Sequence, residues 1–590
     1  MTYLTAAPNI NHLWAALLVE ELVRQGTTLF VVCPGSRSTP LAVAVASNPR
    51  ADVLVHWDER AAGFVALGWG RATGRPAAVI TTSGTAAANL LPAAVEADAD
   101  GVPLLLLTAD RPQELRATGA NQTIRQPPIF QDVARWALDW PVPSPDVPAR
   151  WVLSTAAHAV HRASQPAGPV HLNLPFREPL AATPDGTDTS AALGDVSRWV
   201  ESGAPFVRQH APVGGARVAG DEPGDALVAE LWSAERGLVV LGPGADGRAA
   251  TVLADRLGWP LVADVRAERP LDSDSLVAHA DLLLASPAAL DALRPDAVVH
   301  VGDGRLTSKR LARLLATVKP QIYVQLSPTA DRRDPDSLVT DRFVGPPTDL
   351  LAALQTAVED GESSWRRGDW RERWATADRA AVAVLAGLPD DLSEIAVARA
   401  VTATRWRTVV AASMPIRDVE AFVAAGAGEG VVANRGASGI DGTVATAHGL
   451  ARGLGKPIVL LLGDLALLHD QTSLALLREG PPVTVVVVNN DGGGIFHRLP
   501  VASGPGAVAP DTFERMFGTP HGLVFRDAAA QVGLAYHAPE TLAALRDAFA
   551  HATASGASAL IEVRTDRAEQ TALRARIEAD VAGAVDAALA

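Results

Sequence analysis

Cysteine is almost missing from this chain. Cys33 stands alone among 590 residues, so neither an intrachain disulfide nor a cysteine-built metal site is available. Lysine is nearly as scarce: Lys309, Lys319 and Lys456 are the only lysines among 51 Lys and Arg residues. No apolar run approaches the ~20 residues a membrane-spanning helix needs. The opening stretch, Met1 to Asn11, lacks the basic start and apolar centre of a secretory signal. A net charge of −15 removes the basic footprint that nonspecific nucleic-acid binding requires. These absences lead us to expect a cytoplasmic protein with no nucleic-acid partner and no integral membrane segment.

What is present is a hydrophobic fraction of 48% against 20% charged residues, the balance of a globular protein. The length suggests three to four cores. Over residues 1–180, β-branched runs at Leu29 to Val32, Val53 to His56, Ala78 to Thr82 and Val102 to Leu107 alternate with helical stretches such as Ala61 to Arg71 and Ala86 to Ala97. That rhythm predicts a doubly wound parallel sheet. Residues 181–225, rich in Gly, Pro, Asp and Ser, read as a linker. A central α/β unit is expected over 226–360, with strands at Leu238 to Leu241, Leu261 to Asp264, Ala297 to Val301 and Ile322 to Gln325. The Trp- and Arg-rich stretch Ser364 to Arg379 reads as a surface helix within a connection over 361–389. A third unit follows over 390–590, with strands at Thr408 to Ala412, Val431 to Ala433, Ile458 to Leu462 and Val483 to Val488. The fold class is therefore α/β, with three doubly wound parallel-sheet domains.

The sharpest chemical signal lies in the third unit. Gly463-Asp464-Leu465 ends one strand and Asn489-Asn490 ends another, followed by Asp491-Gly492-Gly493-Gly494. Gly-Asp and Asn-Asn are each ordinary turn pairs. Placed at two strand ends of a parallel sheet, they converge where ligands collect. Carboxylate, amide and carbonyl oxygens suit Mg²⁺.

This arrangement resembles the diphosphate–metal motif of thiamine-diphosphate (ThDP) enzymes, with Leu465 in place of the usual second glycine. The resemblance implies Mg²⁺ or Mn²⁺ held by Asp464, Asn490 and the carbonyl of Gly492. It also implies a glutamate after the second strand of a pyrimidine-binding first domain. Glu59, in His56-Trp57-Asp58-Glu59-Arg60, occupies that place. There it would protonate the cofactor's pyrimidine and so drive the tautomer that activates the thiazolium. On residues alone, Asp58 and Glu59 equally suit a helix start, where acids favour the dipole. The family builds its site from the first domain of one subunit and the diphosphate-binding third domain of another, which implies a homodimer or a dimer of dimers.

Longer stretches resemble the SEPHCHC synthase branch of that family, from menaquinone biosynthesis. They include Cys33-Pro34-Gly35-Ser36-Arg37-Ser38, Thr108-Ala109-Asp110-Arg111-Pro112, Gly119-Ala120-Asn121-Gln122, Thr307-Ser308-Lys309-Arg310 and Ser413-Met414-Pro415-Ile416-Arg417. Thr81 to Asn89, Asn434-Arg435-Gly436-Ala437-Ser438-Gly439-Ile440-Asp441-Gly442, Asn490-Asp491-Gly492-Gly493-Gly494-Ile495-Phe496 and Thr519-Pro520-His521-Gly522 complete the set. The implied reaction is a transferase one: decarboxylation of 2-oxoglutarate and 1,4-addition of the succinyl carbanion to isochorismate. By motif, Ser36, Arg37, Arg111, Gln122, Lys309 and Arg310 would hold isochorismate. Ser413 and Arg417, with Arg435 nearby, would take the succinyl carboxylate. Ser438, Ile440, Ile495 and Phe496 would contact ThDP, Ile440 as the wedge that bends it. Independently of the family, two dicarboxylate substrates call for placed arginines in an acidic protein.

Two other readings are weighed on sequence, of which the first stays as the alternative. An acetolactate-synthase-like carboligase or decarboxylase would use a monocarboxylic 2-oxo acid and need fewer arginines. A ThDP-fold regulator would lack Glu59 or Asp464, and both are present. Gly242-Pro243-Gly244 lacks the third spaced glycine of a dinucleotide fingerprint and reads as a turn. His521, in a Pro-His-Gly turn, reads as structural.

Overall fold

The computed structural model describes residues 2–194, 196–209, 225–270, 272–359, 369–424 and 429–590. Within them the chain builds three six-stranded sheets in which every pairing between strands is parallel. The first contains β1 (Leu29–Val32), β2 (Asp52–Val55), β3 (Ala77–Thr81), β4 (Leu104–Asp110), β5 (Trp136–Asp139) and β6 (Pro169–Pro175), in the order β2-β1-β3-β4-β6-β5. The second contains β7 (Gly237–Leu241), β8 (Leu261–Ala263), β9 (Leu276–Val277), β10 (Ala297–Val301), β11 (Ile322–Ser327) and β12 (Asp341–Val344), ordered β12-β11-β10-β7-β8-β9. The third contains β13 (Thr408–Val410), β14 (Val431–Val432), β15 (Ile458–Gly463), β16 (Val483–Asn489), β17 (Ala535–His537) and β18 (Ala559–Arg564), ordered β14-β13-β15-β16-β18-β17.

The first and third sheets thus share one topology, while the central sheet has the order of dinucleotide-binding folds. Continuous apolar runs such as Val483–Asn489 are buried along their whole length because helices cover both faces. In the central sheet, Gly242 lies so close to the Asp303 backbone that a side chain would collide with it. The Asp303 carboxylate beside it pairs with Arg305 at 2.6 Å and Arg333 at 2.8 Å. Gly242 serves close packing of two loops.

Two expectations change in detail. Within the span read as a linker, the helices Thr189–Gly194 and Ser197–Ser202 form. Leu193, Val196 and Trp199 join the first unit's core, so this part is packed, not free; residues 210–224 lie outside the described residues. The Trp370–Ala386 helix is not a surface helix: Trp370 and Trp374 are buried in a core shared with the C-terminal helix Arg567–Leu589. Two large indoles on one helical stripe favour burial, and the Trp370 indole nitrogen donates to the Gly237 carbonyl at 2.7 Å. Residues 360–368, including part of the Trp-rich stretch, lie outside the described residues.

The first and third units meet through the helices Glu59–Thr73 and Thr443–Leu454. Gly68 abuts the Thr446 backbone and Gly449 the Val65 backbone, each with no room for a methyl group. Arg452 pairs with Asp52 beside them. This contact uses the flanks of the two units and fixes which residues one chain can bring together.

Candidate active site

Asp464 and Asn490 reach one spot because β15 and β16 are neighbours, with Gly463 opposite Val488. Each strand ends in step with the other, and the next residue leaves at the carboxyl edge. The separation of 26 residues in sequence is taken up by the helix Asp464–His469 and the 3₁₀ segment Gln471–Arg478. Both side chains are buried. The Asp464 Oδ2 accepts the Gly492 amide at 2.9 Å and lies 3.1 Å from His521 Nε2. The Asn490 amide nitrogen donates to Glu394 Oε1 at 2.7 Å, while its Oδ1 is buried without a partner. An orphaned buried carbonyl costs roughly 1–3 kcal/mol. A hard divalent cation would satisfy it, and one carboxylate, one amide oxygen and one backbone carbonyl form an oxygen set of the kind Mg²⁺ or Mn²⁺ takes. The residues therefore fit the metal.

The loop between these ligands is held in an unusual shape. Gly492 has φ +131°, and a side chain there would collide with the Gly518 carbonyl. Asp491 sits at φ +60°, and its Oδ1 accepts the amides of His521 and Gly522 at 2.8 and 2.7 Å. Those bonds hold its carboxyl below the usual range. Ser413 at φ +73° and Ser438 at φ +62° line the same cavity. Left-handed backbone at non-glycine residues costs free energy and concentrates at functional sites.

The cavity, about 370 Å³, is lined by Ser413, Arg417, Arg435, Ser438, Ile440, Asp464, Asn490, Gly492, Ile495 and Phe496. Every site residue expected from the third unit is thereby gathered at one place. Burial lowers the affinity of Arg417 and Arg435 for their protons, and neighbouring arginines add to it: Arg498 beside Arg417, and Arg266 and Arg417 beside Arg435. Arg417 reaches back to the Ser413 carbonyl. Such a concentration of positive charge over an apolar floor suits a carboxylate-bearing ligand.

The first unit contributes nothing to this cavity. Its expected residues form a second group at the carboxyl ends of β1, β3 and β4. Arg37 is buried, donates to the Phe176 carbonyl at 2.9 Å, and leaves its Nε without a partner. Burial and nearby Arg111 lower its affinity for its proton. Arg111 bonds the Ser83 hydroxyl, and Gln122 Nε2 donates to the Ser83 carbonyl at 2.8 Å. Ser36 lies exposed in the loop after β1, where Gly35 packs on Thr82. Glu59 opens its helix behind the Asp58 N-cap and accepts Asn89 Nδ2 at 3.4 Å. Its neighbour Arg60 bonds the carbonyl of His469, the last residue of the helix that Asp464 begins. Five helical steps make that ~8 Å from Asp464 along the axis.

From the central unit, Lys309 and Arg310 open the helix Lys309–Val318 outside the cavity. Lys309 is exposed. Arg310 is ion-paired with Asp281 at 3.0 Å and Glu578 at 2.7 Å.

Sequence reasoning missed Glu394 and the contact of His521 with Asp464, and gave Leu465 no place in the site. Glu394 begins a helix behind the Ser393 N-cap, so its local pattern signals only a helix start. Burial raises its affinity for a proton, against hydrogen bonds from Asn490 and Thr565. Leu465 lines the cavity beside Asp464.

The geometry can be set beside known proteins. Residues 14–129 match the model described as thiamine pyrophosphate enzyme, N-terminal TPP binding domain, and residues 190–408 match the middle domain of thiamine pyrophosphate enzymes. A 2-succinyl-5-enolpyruvyl-6-hydroxy-3-cyclohexene-1-carboxylate (SEPHCHC) synthase of Rubrobacter xylanophilus is 49% identical, covering 98% of this chain and 99% of its own. The chain belongs to the SEPHCHC synthase family. Synthases of that name from Salinibacter ruber and Chlorobaculum tepidum are 47% and 41% identical, each over at least 97% of both chains. Membership makes the chain a ThDP-dependent transferase of the menaquinone pathway. It also disfavours the acetolactate-synthase-like reading. The shared length spans all three units, so the cavity, the Arg37–Arg111 group and the Lys309 helix all fall inside the region of likeness.

Proposed function

We propose that this protein decarboxylates 2-oxoglutarate and adds the resulting four-carbon unit to isochorismate, forming SEPHCHC and CO2. The observation that carries this reading is one cavity that joins an oxygen-ligand set to two arginines with no ion pair among the described residues. Asp464, Asn490 and the Gly492 carbonyl would hold Mg²⁺ or Mn²⁺ against the diphosphate of ThDP. When bound, the cofactor supplies an electron sink for the carbanion left by loss of CO2.

The chain's own residues then position, shield and select. Arg417 and Ser413 bind the distal carboxylate of 2-oxoglutarate, and Arg435 adds positive charge. Ile440, Ile495 and Phe496 exclude water from the reacting carbon, delaying its protonation until the second substrate arrives. Ser438 contributes to the cofactor cradle. Ser36, Arg37, Arg111, Gln122, Lys309 and Arg310 hold isochorismate. For Arg310 that role requires a shift of its partners, because Asp281 and Glu578 now occupy its guanidinium.

The site so described needs a second copy of the chain. Within one chain Glu59 and the Arg37–Arg111 group stand apart from the Asp464 cavity. Beside Glu59, Trp57 and Val55 are 66% and 60% exposed, and Met516, Leu523 and Val524 are at least 49% exposed on the third unit. Exposed apolar side chains flanking both half-sites support a homodimer, as such or paired into a dimer of dimers, with Glu59 of one copy serving the cavity of the other. No described helix is long and apolar enough to cross a membrane. The cytoplasm is the compartment we propose.

The test is CO2 release from 2-oxoglutarate with ThDP and Mg²⁺, with and without isochorismate, and with pyruvate as rival donor. Release coupled to isochorismate consumption, with pyruvate a poor donor, is expected. Equal use of pyruvate would favour a monocarboxylate carboligase, and absence of turnover with either donor would overturn the reading.

A further inference from the structure

Two side chains outside the expected ligand set touch the two ligand side chains in it. Glu394 Oε1 accepts the Asn490 amide at 2.7 Å and the Thr565 hydroxyl at 3.2 Å. An oxygen accepting from two donors acts as an acceptor whether or not the other carboxyl oxygen carries a proton. The Asn490 NH₂ group must therefore face Glu394. Its carbonyl oxygen then points away from Glu394 and is buried without a protein partner, in the cavity that Asp464 and Gly492 also line. Were the amide reversed, Oδ1 would face the carboxyl oxygen of Glu394 and a positive NH₂ edge would face the cation. Glu394 thus decides which end of Asn490 is offered.

His521 does the corresponding work for Asp464. The Leu523 backbone amide donates to His521 Nδ1 at 3.0 Å, so Nδ1 is the acceptor nitrogen. The proton consequently resides on Nε2, which donates to Asp464 Oδ2 at 3.1 Å. Asp491 fixes the loop carrying His521 through the two amide bonds described above. The imidazole is mostly buried and, with the Gly492 and Leu465 amides, holds the carboxylate in one orientation.

We infer that Glu394 and His521 are positioning residues of the metal–diphosphate site, each presetting one ligand before the cation arrives. The inference rests on the metal reading above and assigns work to residues that reading does not use. Outer partners of this kind, when removed, typically weaken metal binding by about tenfold to a hundredfold.

The experiment is a Mn²⁺ binding titration by electron paramagnetic resonance on the full chain with saturating ThDP. Circular dichroism checks the fold of each variant. Glu394→Ala and His521→Ala should each raise the Mn²⁺ dissociation constant about tenfold or more. Glu394→Gln, whose amide oxygen can still accept from Asn490, should stay within about threefold of wild type. His521 is at the surface side of the site, so its variant reports even if Glu394→Ala fails to fold. Unchanged Mn²⁺ affinity in folded alanine variants would overturn the inference, as would Glu394→Gln binding as weakly as Glu394→Ala. Wild-type protein that binds no Mn²⁺ with ThDP, or Asp464→Ala that binds it normally, would instead overturn the metal reading itself.

Discussion

Arg417 and Arg435 share one cavity wall, and among the described residues neither has a carboxylate within ion-pair distance. In a protein with 66 acidic residues, two partly buried guanidinium groups left unneutralised are costly unless a ligand supplies the missing charge. Arg498, close enough to disfavour the charge on Arg417, is by contrast held by Glu578 at 3.1 Å. The unneutralised pair is what supports placing the proposed anionic substrate there.

Arg417→Ala should therefore raise the KM for 2-oxoglutarate by about tenfold to a hundredfold, the worth of a charge-assisted hydrogen bond. The KM for isochorismate should move by less than about threefold. Steady-state kinetics with each substrate varied in turn decides it, and equal effects on both would remove Arg417 from its assigned place.

Glu59→Gln keeps the size of the side chain and removes its acid. ThDP affinity should remain near wild type, while kcat falls by about a hundredfold or more, the usual contribution of a positioned acid–base group. Undiminished turnover would refute the assignment.

Gly492 gives a structural test of the metal loop. With φ at +131° and the Gly518 carbonyl in the way, Gly492→Ala must displace the loop between Asn490 and His521. The expected result is a stability loss of about 1–3 kcal/mol and a clear rise in the Mg²⁺ needed for ThDP to bind, read by near-ultraviolet circular dichroism. An unchanged Mg²⁺ requirement would show that the loop is not part of the site.

His448 predicts how the fold responds to acid. It lies on the helix against Glu59–Thr73, fully buried with neither ring nitrogen bonded. Burial, helped by Arg452, holds its pKa down to about 4. The unfolded chain takes up a proton near pH 6.5, so stability is full above that value and is lost as pH falls toward 4. At pH 5 the loss from this residue is about 2 kcal/mol. The apparent Tm should fall between pH 7.5 and 5, and His448→Leu should make that fall smaller; an identical slope in both proteins would exclude the residue as a cause.

Much of this architecture was legible in the sequence because buried parallel strands are continuous β-branched runs. Ala297–Val301 and Val483–Asn489 stand out for that reason. The strands that escaped notice fail the pattern for physical reasons. Pro169–Pro175 carries His171 and Asn173, polar groups bonded in the interior by Thr108, Gln126 and Asp110, with His171 Nδ1 left without a partner. Ala559–Arg564 contains Glu562, which is buried and bonded by Asn489, the Phe525 amide and Tyr536. The stretch Ala86 to Ala97 reads as one helix but breaks at Asn89 and Leu90, just before Pro92. In the site, Asp464, Asn490 and Gly492 were visible because their motif is local. Glu394 was not, because its meaning comes only from a side chain 96 positions away.

That Glu59 does not line the Asp464 cavity of its own chain carries a genetic corollary for the proposed two-copy site. If the site forms between two copies as proposed, an allele lacking Glu59 and an allele lacking Asp464 should each be inactive alone, yet each would retain the half-site the other has lost. Co-expressed in equal amounts, they would restore about a quarter of wild-type activity, since half the dimers are mixed and each mixed dimer keeps one intact centre. For the same reason, a chain defective in both halves would act as a partial dominant, withdrawing functional partners into dimers with no intact centre.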